Sequence, residues 1–168
     1  MNICGYVPES INEGDGLRAV VFISGCHHRC PGCFSPHTWS FRAGASFTLE
    51  RQQELIAEMA ANPLLDGLTI AGGDPFEAAN EVADFAGRVR ARLPYFSIWA
   101  YTGYTWEQLC AEPNKYLKLL NLCDVLIDGR FVQELRDVAL PYRGSSNQRV
   151  IDVPSSLTKQ QVIGWKCE

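Results

Sequence analysis

Apolar and polar positions alternate along this chain with two periods. Leu17 to Ser24 is a nearly continuous, β-branched apolar run, the pattern of a buried strand. Gly25 ends it. Thr48 is placed to cap a helix running to about Ala61, with Ile56, Met59 and Ala60 on its inner face, and Asn62-Pro63 stops it. Gly67 to Ala71 reads as a second short strand, ending in Gly72-Gly73-Asp74-Pro75. Val82, Phe85, Ala86, Val89 and Leu93 then fall on one helical stripe, closed by Pro94. Phe96 to Tyr101 predicts a third strand, followed by Thr102-Gly103-Tyr104. Thr105 and Gln108 stand at capping-box spacing, and Leu117, Leu120 and Cys123 continue the helical packing after them. Asp124 to Asp128 is a fourth strand, followed by Gly129-Arg130. Gln148 to Asp152 is a fifth, and Pro154 to Glu168 is a polar tail with a short helix.

Strand and helix alternating in this way predict parallel βαβ units with right-handed crossovers. The fold class is α/β. About five to six parallel strands are too few to close an eight-stranded barrel, so an open, curved partial (β/α) barrel is expected. No internal repeat or linker divides the chain, and residues 1–168 read as one domain. In parallel α/β folds, ligands gather at the carboxyl ends of the strands. The unusual segments here all follow strands, which predicts several polar loops around one mouth.

Composition narrows the partners. With 46% hydrophobic residues the chain is not a disordered one. The net charge of −4 and the absence of a Lys/Arg run argue against nucleic acid or an anionic membrane. No apolar stretch approaches the roughly 20 residues a bilayer needs. Met1-Asn2-Ile3-Cys4-Gly5 has neither a charged nor an apolar signal region, so the expected location is cytoplasmic. The cysteine count of seven is odd, which speaks against a disulfide framework. Cys4, Cys110, Cys123 and Cys167 read as reduced, buried small hydrophobes.

The other three cysteines carry the chemistry. Cys26, Cys30 and Cys33 form C-x3-C-x2-C in the loop after the first strand. Three thiolates at this spacing can ligate three irons of a 4Fe-4S cluster and leave the fourth open to a small chelating molecule. A zinc site completed by His27, His28 or His37 is the alternative, which would make the chain a non-enzymatic docking module. Zinc sites usually add a second close cysteine pair, and Cys110 and Cys123 do not form one. A thiol oxidoreductase reading of Cys30 and Cys33 is disfavoured by Cys26 beside them. Phe34 can shield the cluster from water, and His28 is either a donor to a cluster sulfur or an ordinary loop residue.

Gly72 and Gly73 permit close backbone approach to a ligand. Asp74 either offers a carboxylate to a ligand ammonium group or caps a helix that begins at Pro75. Asp128 either binds a cation or ligand hydroxyl or pairs with Arg130. Tyr101 and Tyr104 either stack on an adenine or pack. Arg143 to Arg149 reads as a solvated loop or a surface for docking a partner chain.

These residues resemble a known family. C-x3-C-x2-C after the first strand, with Gly72-Gly73-Asp74-Pro75 after the second, is similar to the radical S-adenosylmethionine superfamily. Gly14-Asp15-Gly16-Leu17-Arg18, Thr38-Trp39, Tyr101-Thr102-Gly103-Tyr104, Asp124 to Phe131 and Arg143 to Arg149 narrow the resemblance to the activases of anaerobic ribonucleoside-triphosphate reductase. Ser35 departs from the family, which often has Asn there.

The resemblance implies a truncated partial barrel of the radical S-adenosylmethionine type. It implies a 4Fe-4S cluster on Cys26, Cys30 and Cys33. S-adenosylmethionine would lie along Gly32, Cys33 and Phe34, with its ammonium at Gly72, Gly73 and Asp74. Asp128 would sit near the methionine carboxylate, in some relatives through a monovalent cation. The implied reaction is reductive cleavage of S-adenosylmethionine to a 5′-deoxyadenosyl radical, which takes a hydrogen atom from a glycine of the partner. That partner would be the large subunit of the anaerobic reductase, and the electron donor a flavodoxin. Activation of another glycyl-radical enzyme, such as pyruvate formate-lyase, is the nearest alternative.

Overall fold

In a computed structural model describing residues 1–166, the apolar runs become strands of one sheet. In chain order the strands are β1 (Asn2–Ser10), β2 (Arg18–Ile23), β3 (Ala45–Ser46), β4 (Gly67–Gly72), β5 (Ser97–Tyr101), β6 (Val125–Asp128) and β7 (Arg149–Asp152). The helices are α1 (Leu49–Ala61), α2 (Ala79–Arg92), α3 (Trp106–Ala111), α4 (Pro113–Leu120) and α5 (Val153–Lys159). The sheet order is β3-β1-β2-β4-β5-β6-β7, and it is open, with β3 and β7 at its two ends.

The register runs straight through the centre. Val20 of β2 pairs with Thr69 of β4, Thr69 with Trp99 of β5, and Trp99 with Val125 of β6, all parallel. Four strands are therefore parallel, not five to six. β1 and β3 add an antiparallel margin on one side, and β7 runs antiparallel to β6 on the other. The reason for β7 lies in its connection. A parallel return needs a crossover, usually a helix. Between β6 and β7 the backbone forms only a short 3₁₀ turn at Gln133–Leu135.

Local signals set the helix boundaries. Thr48 accepts from the Arg51 N–H at 3.2 Å and starts α1. Thr105 and Gln108 form both bonds of the capping box that starts α3. Pro113 then begins α4 as a separate helix, so the predicted continuous segment is broken at Glu112. Cys123 lies beyond α4, buried, with its thiol against the Leu119 carbonyl. Val82, Phe85, Ala86 and Val89 of α2 are fully buried, as the stripe predicts. Each large apolar side chain buried this way contributes about 1.5–3 kcal/mol.

The two faces of the sheet differ. Val21, Ile23, Leu68, Ile70, Ile98, Ala100 and Leu126 join the helices in the main core. The opposite face carries a smaller cluster of Trp99, Val125 and Ile127, flanked by Tyr101, Tyr142, Val150 and Trp165. At the amino ends of the strands that face is pinned by Arg18, which is fully buried. Its guanidinium donates to the Thr69 hydroxyl, the Ser97 hydroxyl and carbonyl, and the Leu68 and Asp15 carbonyls at 2.7–3.0 Å. Burial lowers its pKa to about 10, which leaves it charged at neutral pH. The tail folds back: Trp165 N–H donates to the Val150 carbonyl. None of the described helices is long and apolar enough to cross a membrane.

Candidate metal and cofactor site

The cysteine loop leaves β2 at Ser24 and turns at Gly25, whose φ of +101° suits glycine. Backbone bonds from Gly25 N–H to the Thr38 carbonyl and from Cys26 N–H to the Trp39 carbonyl anchor its base. Cys33 N–H donates to the Cys30 carbonyl, closing the turn that Pro31-Gly32 predicts. All three thiols are free and line one cavity of about 550 Å³ at the carboxyl ends of the parallel strands.

The donor set fits a cluster. Burial pushes the Cys26 thiol up to about 11 and also raises Cys30. Backbone N–H groups offset this by favouring the thiolates, from His28 and Arg29 at Cys26 and from Phe131 at Cys30. The Ser35 N–H reaches the Cys33 sulfur at 3.4 Å. Among the described residues no three His, Cys, Asp or Glu side chains converge as a single ion requires. The thiols surround a space instead, which suits a multi-atom group. His28 is engaged at both ring nitrogens, by Asp74 at 2.9 Å and Arg130 at 3.1 Å, which leaves neither to bind zinc, and His27 bonds Glu77 through Nδ1 at 2.9 Å.

Gly72 and Gly73 face the same cavity. Gly73 must be glycine: a Cβ there would lie 2.3 Å from the Gly25 carbonyl oxygen. Asp74 is fully buried and does not line the cavity. It accepts from the Phe76 N–H, the Thr102 hydroxyl, the Gly103 N–H and His28, all at 2.8–3.0 Å. The helix-cap alternative is the one realised, and the carboxylate has no oxygen presented to a ligand.

Three other candidates also take different roles. The Arg130 Nε donates to Nδ1 of His28 at 3.1 Å, so that Nε2 carries the proton donated to Asp74. With both ring nitrogens engaged, His28 has no donor left for a cluster sulfur. Asp128 is buried and pairs with Arg149, not Arg130, and also accepts from the Trp106 N–H. It too lies off the cavity, whereas its neighbour Gly129 lines it. Gly32 also lies off the cavity lining.

Phe34 lines the cavity and is 66% exposed, with its ring against Phe131 and Arg136 stacked over it. Tyr101 lines the cavity while its hydroxyl donates to the Tyr142 carbonyl. Tyr104 packs against His28 and Tyr116 instead. The 143–149 segment is not a solvated loop. Gln148 accepts from the Gly144 and Ser145 N–H groups and donates to the Gly129 carbonyl, and Ser145 is fully buried. The segment clamps the loop after β6 against the site. Of the remaining cysteines, Cys123 is buried, Cys4 is half-buried beside the Ser24 hydroxyl, and Cys110 is exposed, contrary to expectation. Cys167 lies outside the described residues.

Sequence reasoning passed over Glu13, Trp39, Val138, Leu140 and Tyr142, all of which line the cavity. Glu13 and Trp39 adjoin or belong to the family-like stretches Gly14 to Arg18 and Thr38-Trp39. Val138 to Tyr142 have no periodic or motif signal.

A family model described as a 4Fe-4S single cluster domain matches residues 12–151. The anaerobic ribonucleoside-triphosphate reductase-activating protein of Salmonella typhi is 40% identical over 148 residues, covering 86% of this chain and 94% of its own length. The protein of that name from Escherichia coli strain K12 is 39% identical over 153 residues, covering 89% and 97%. That of Enterobacteria phage T4 is 38% identical over 152 residues, covering 89% and 93%. Three cysteines around one cavity at the strand ends and this likeness along most of the chain lead to one assignment: the chain belongs to the family of anaerobic ribonucleoside-triphosphate reductase-activating proteins.

Proposed function

We propose that this chain is a radical S-adenosylmethionine enzyme that generates a glycyl radical on an anaerobic ribonucleoside-triphosphate reductase. The observation that carries the reading is the meeting of the Cys26, Cys30 and Cys33 thiols with the Gly72-Gly73 backbone in one cavity. In the same reading residues 1–168 form one domain, the open sheet is a truncated partial barrel, and a flavodoxin-like donor in the cytoplasm supplies the electron.

Cys26, Cys30 and Cys33 would hold a 4Fe-4S cluster with one iron free of protein. When bound and given one electron by the donor, the cluster and S-adenosylmethionine would supply the radical chemistry needed to take a hydrogen atom from a glycine of the partner. The chain's own groups bind and orient. Gly72 and Gly73 let their main chain pack against Ile23 and Gly25 with no Cβ in between, which sets the backbone edge that would meet the cofactor. Phe34, Phe131, Val138 and Leu140 give the cavity an apolar rim, with Phe34 and Val138 largely exposed, which a docked partner would close against water. The clamp of Gln148 on Gly129 fixes the third side. Holding reactants in contact geometry is the main contribution asked of such a site.

The test is anaerobic reconstitution with iron and sulfide, followed by electron paramagnetic resonance of the reduced protein. The expected result is a 4Fe-4S signal that changes shape when S-adenosylmethionine is added. Bound zinc, or a cluster whose signal ignores S-adenosylmethionine, would end this reading.

A further inference from the structure

The three motifs that surround the cavity meet in one buried polar cluster. His28 comes from within the cysteine loop, between Cys26 and Cys30. Asp74 follows the two glycines after β4. Thr102 and Gly103 follow β5. Each contributes a bond to the same carboxylate: His28 Nε2 at 2.9 Å, Thr102 Oγ1 at 2.9 and 3.0 Å, and Gly103 N–H at 2.8 Å. The His28 side chain is 6% exposed and that of Asp74 is fully buried. Gly103 makes room for the ring, since a Cβ there would lie 2.4 Å from His28 Cδ2. Tyr104 packs edge-on against the same ring, and Arg130, after β6, bonds its other nitrogen. Loops from all four parallel strands therefore touch His28 or its carboxylate partner.

The neighbouring histidine gives an internal comparison. His27 also bonds the segment after β4, through Glu77 at 2.9 Å, but its side chain is 72% exposed. An exposed bond of this kind exchanges readily with water and holds little. A buried one leaves an unpaired group when broken.

We infer that His28 is a positioning residue: through Asp74 it holds the cysteine loop in fixed register with the Gly72-Gly73 edge, so that the thiols and the cofactor's binding edge are placed together. This rests on the proposed function. The two ends of one small ligand, one on the cluster and one on the glycine backbone, must be matched to within a fraction of an ångström for both to bind. His28 is the buried side chain that spans the gap between them, above the backbone bonds of Gly73 N–H to Ile23 and Asp74 N–H to Gly25 at its base.

The test uses reconstituted full-length protein, measuring iron and sulfide per chain, S-adenosylmethionine affinity by anaerobic equilibrium dialysis, and the ligand-induced change in the resonance signal. His28→Ala is expected to keep its cluster and to bind S-adenosylmethionine about tenfold more weakly, with a smaller signal change. His28→Gln, whose amide can still donate to Asp74, is expected to recover most of that affinity, and His27→Ala to match wild type. Wild-type affinity in His28→Ala would overturn the inference. So would iron loss in step with affinity, or a His28→Gln variant no better than Ala, since both mark a merely structural residue. A wild-type cluster that ignores S-adenosylmethionine would instead overturn the proposed function on which the inference stands.

Discussion

The Arg149 guanidinium closes over the Asp128 carboxylate at the end of β6, with Nε 3.0 Å from Oδ1 and Nη2 against Oδ2. The Trp106 N–H adds a third bond at 2.7 Å, so that one carboxylate joins β6, β7 and the start of α3. Asp128 is 1% exposed while the Arg149 side chain is 38% exposed. Replacing Arg149 with Met strands a buried carboxylate. Breaking a fully buried pair costs about 3–5 kcal/mol, and the partial exposure of Arg149 brings the expected loss to about 2–3 kcal/mol. At about 2–4 °C per kcal/mol for a chain of this size, thermal unfolding should shift by roughly 4–12 °C. A shift under about 2 °C would mean that water substitutes for the guanidinium.

The same guanidinium reaches Glu107 at 3.0 and 2.9 Å. Those bonds hold the Glu107 carboxyl down to about 2, from its usual 4.5. A folded-state pKa below the unfolded one stabilises the fold above pH 4.5, and the contribution fades as pH falls toward 2. Because the pair is largely exposed, the increment should be under about 1 kcal/mol. Urea unfolding at pH 6 and pH 3 should show wild type losing this increment and Glu107→Gln lacking it at both. Identical losses in the two proteins would remove Glu107 from the acid response.

Much of this architecture was legible because its causes are local. Thr48 and Thr105 cap helices by bonding N–H groups three residues on, so the sequence window contains both partners. The Leu17 to Ser24 run and the stripe on α2 announce burial on their own. Other features depend on distant partners. β1 has three exposed residues, Pro8 among them, and becomes a strand because β2 and β3 pair with it. Arg18 sits in an apolar run, and nothing nearby shows that Thr69, Leu68 and Ser97 will supply its acceptors. The direction of β7 was half-visible, since residues 129–148 carry no helical period to build a crossover. At the site, the cysteine spacing and the two glycines located the cavity. The fates of Asp74 and Asp128 were not readable, because a carboxylate in a loop looks the same whether a ligand or His28 and Arg149 claims it.

The six described cysteines should divide sharply by function. Cys26, Cys30 and Cys33 face one cavity, whereas Cys4, Cys110 and Cys123 do not line it. Replacing any of the first three with Ala should abolish retention of a 4Fe-4S cluster after anaerobic reconstitution, read as iron and sulfide per chain. Cys110→Ala should retain wild-type iron, and Cys123→Ala should do so with a small loss of stability from its buried site. A Cys110→Ala protein without iron would put the cluster elsewhere.

Two glycine-to-alanine changes should act with opposite sign. At Gly73 a Cβ would meet the Gly25 carbonyl oxygen at 2.3 Å, with the Gly25 backbone carbon and nitrogen at 2.8 and 2.9 Å. Main chain on that side cannot swing away as a side chain would, so the cysteine loop itself must shift. Overpacking of this kind costs about 1–3 kcal/mol, and here the displaced segment carries Cys26. At Gly87, inside α2, a Cβ meets nothing within 4 Å. Alanine there should stabilise the helix by about 0.5–1 kcal/mol. Denaturant unfolding of both variants, with iron content of the reconstituted proteins, separates the effects. Gly87→Ala should unfold later with full iron, and Gly73→Ala earlier with impaired cluster retention. A Gly73→Ala protein of wild-type stability and iron content would show that β4 and the cysteine loop are not packed against each other as tightly as the Gly25 contact requires.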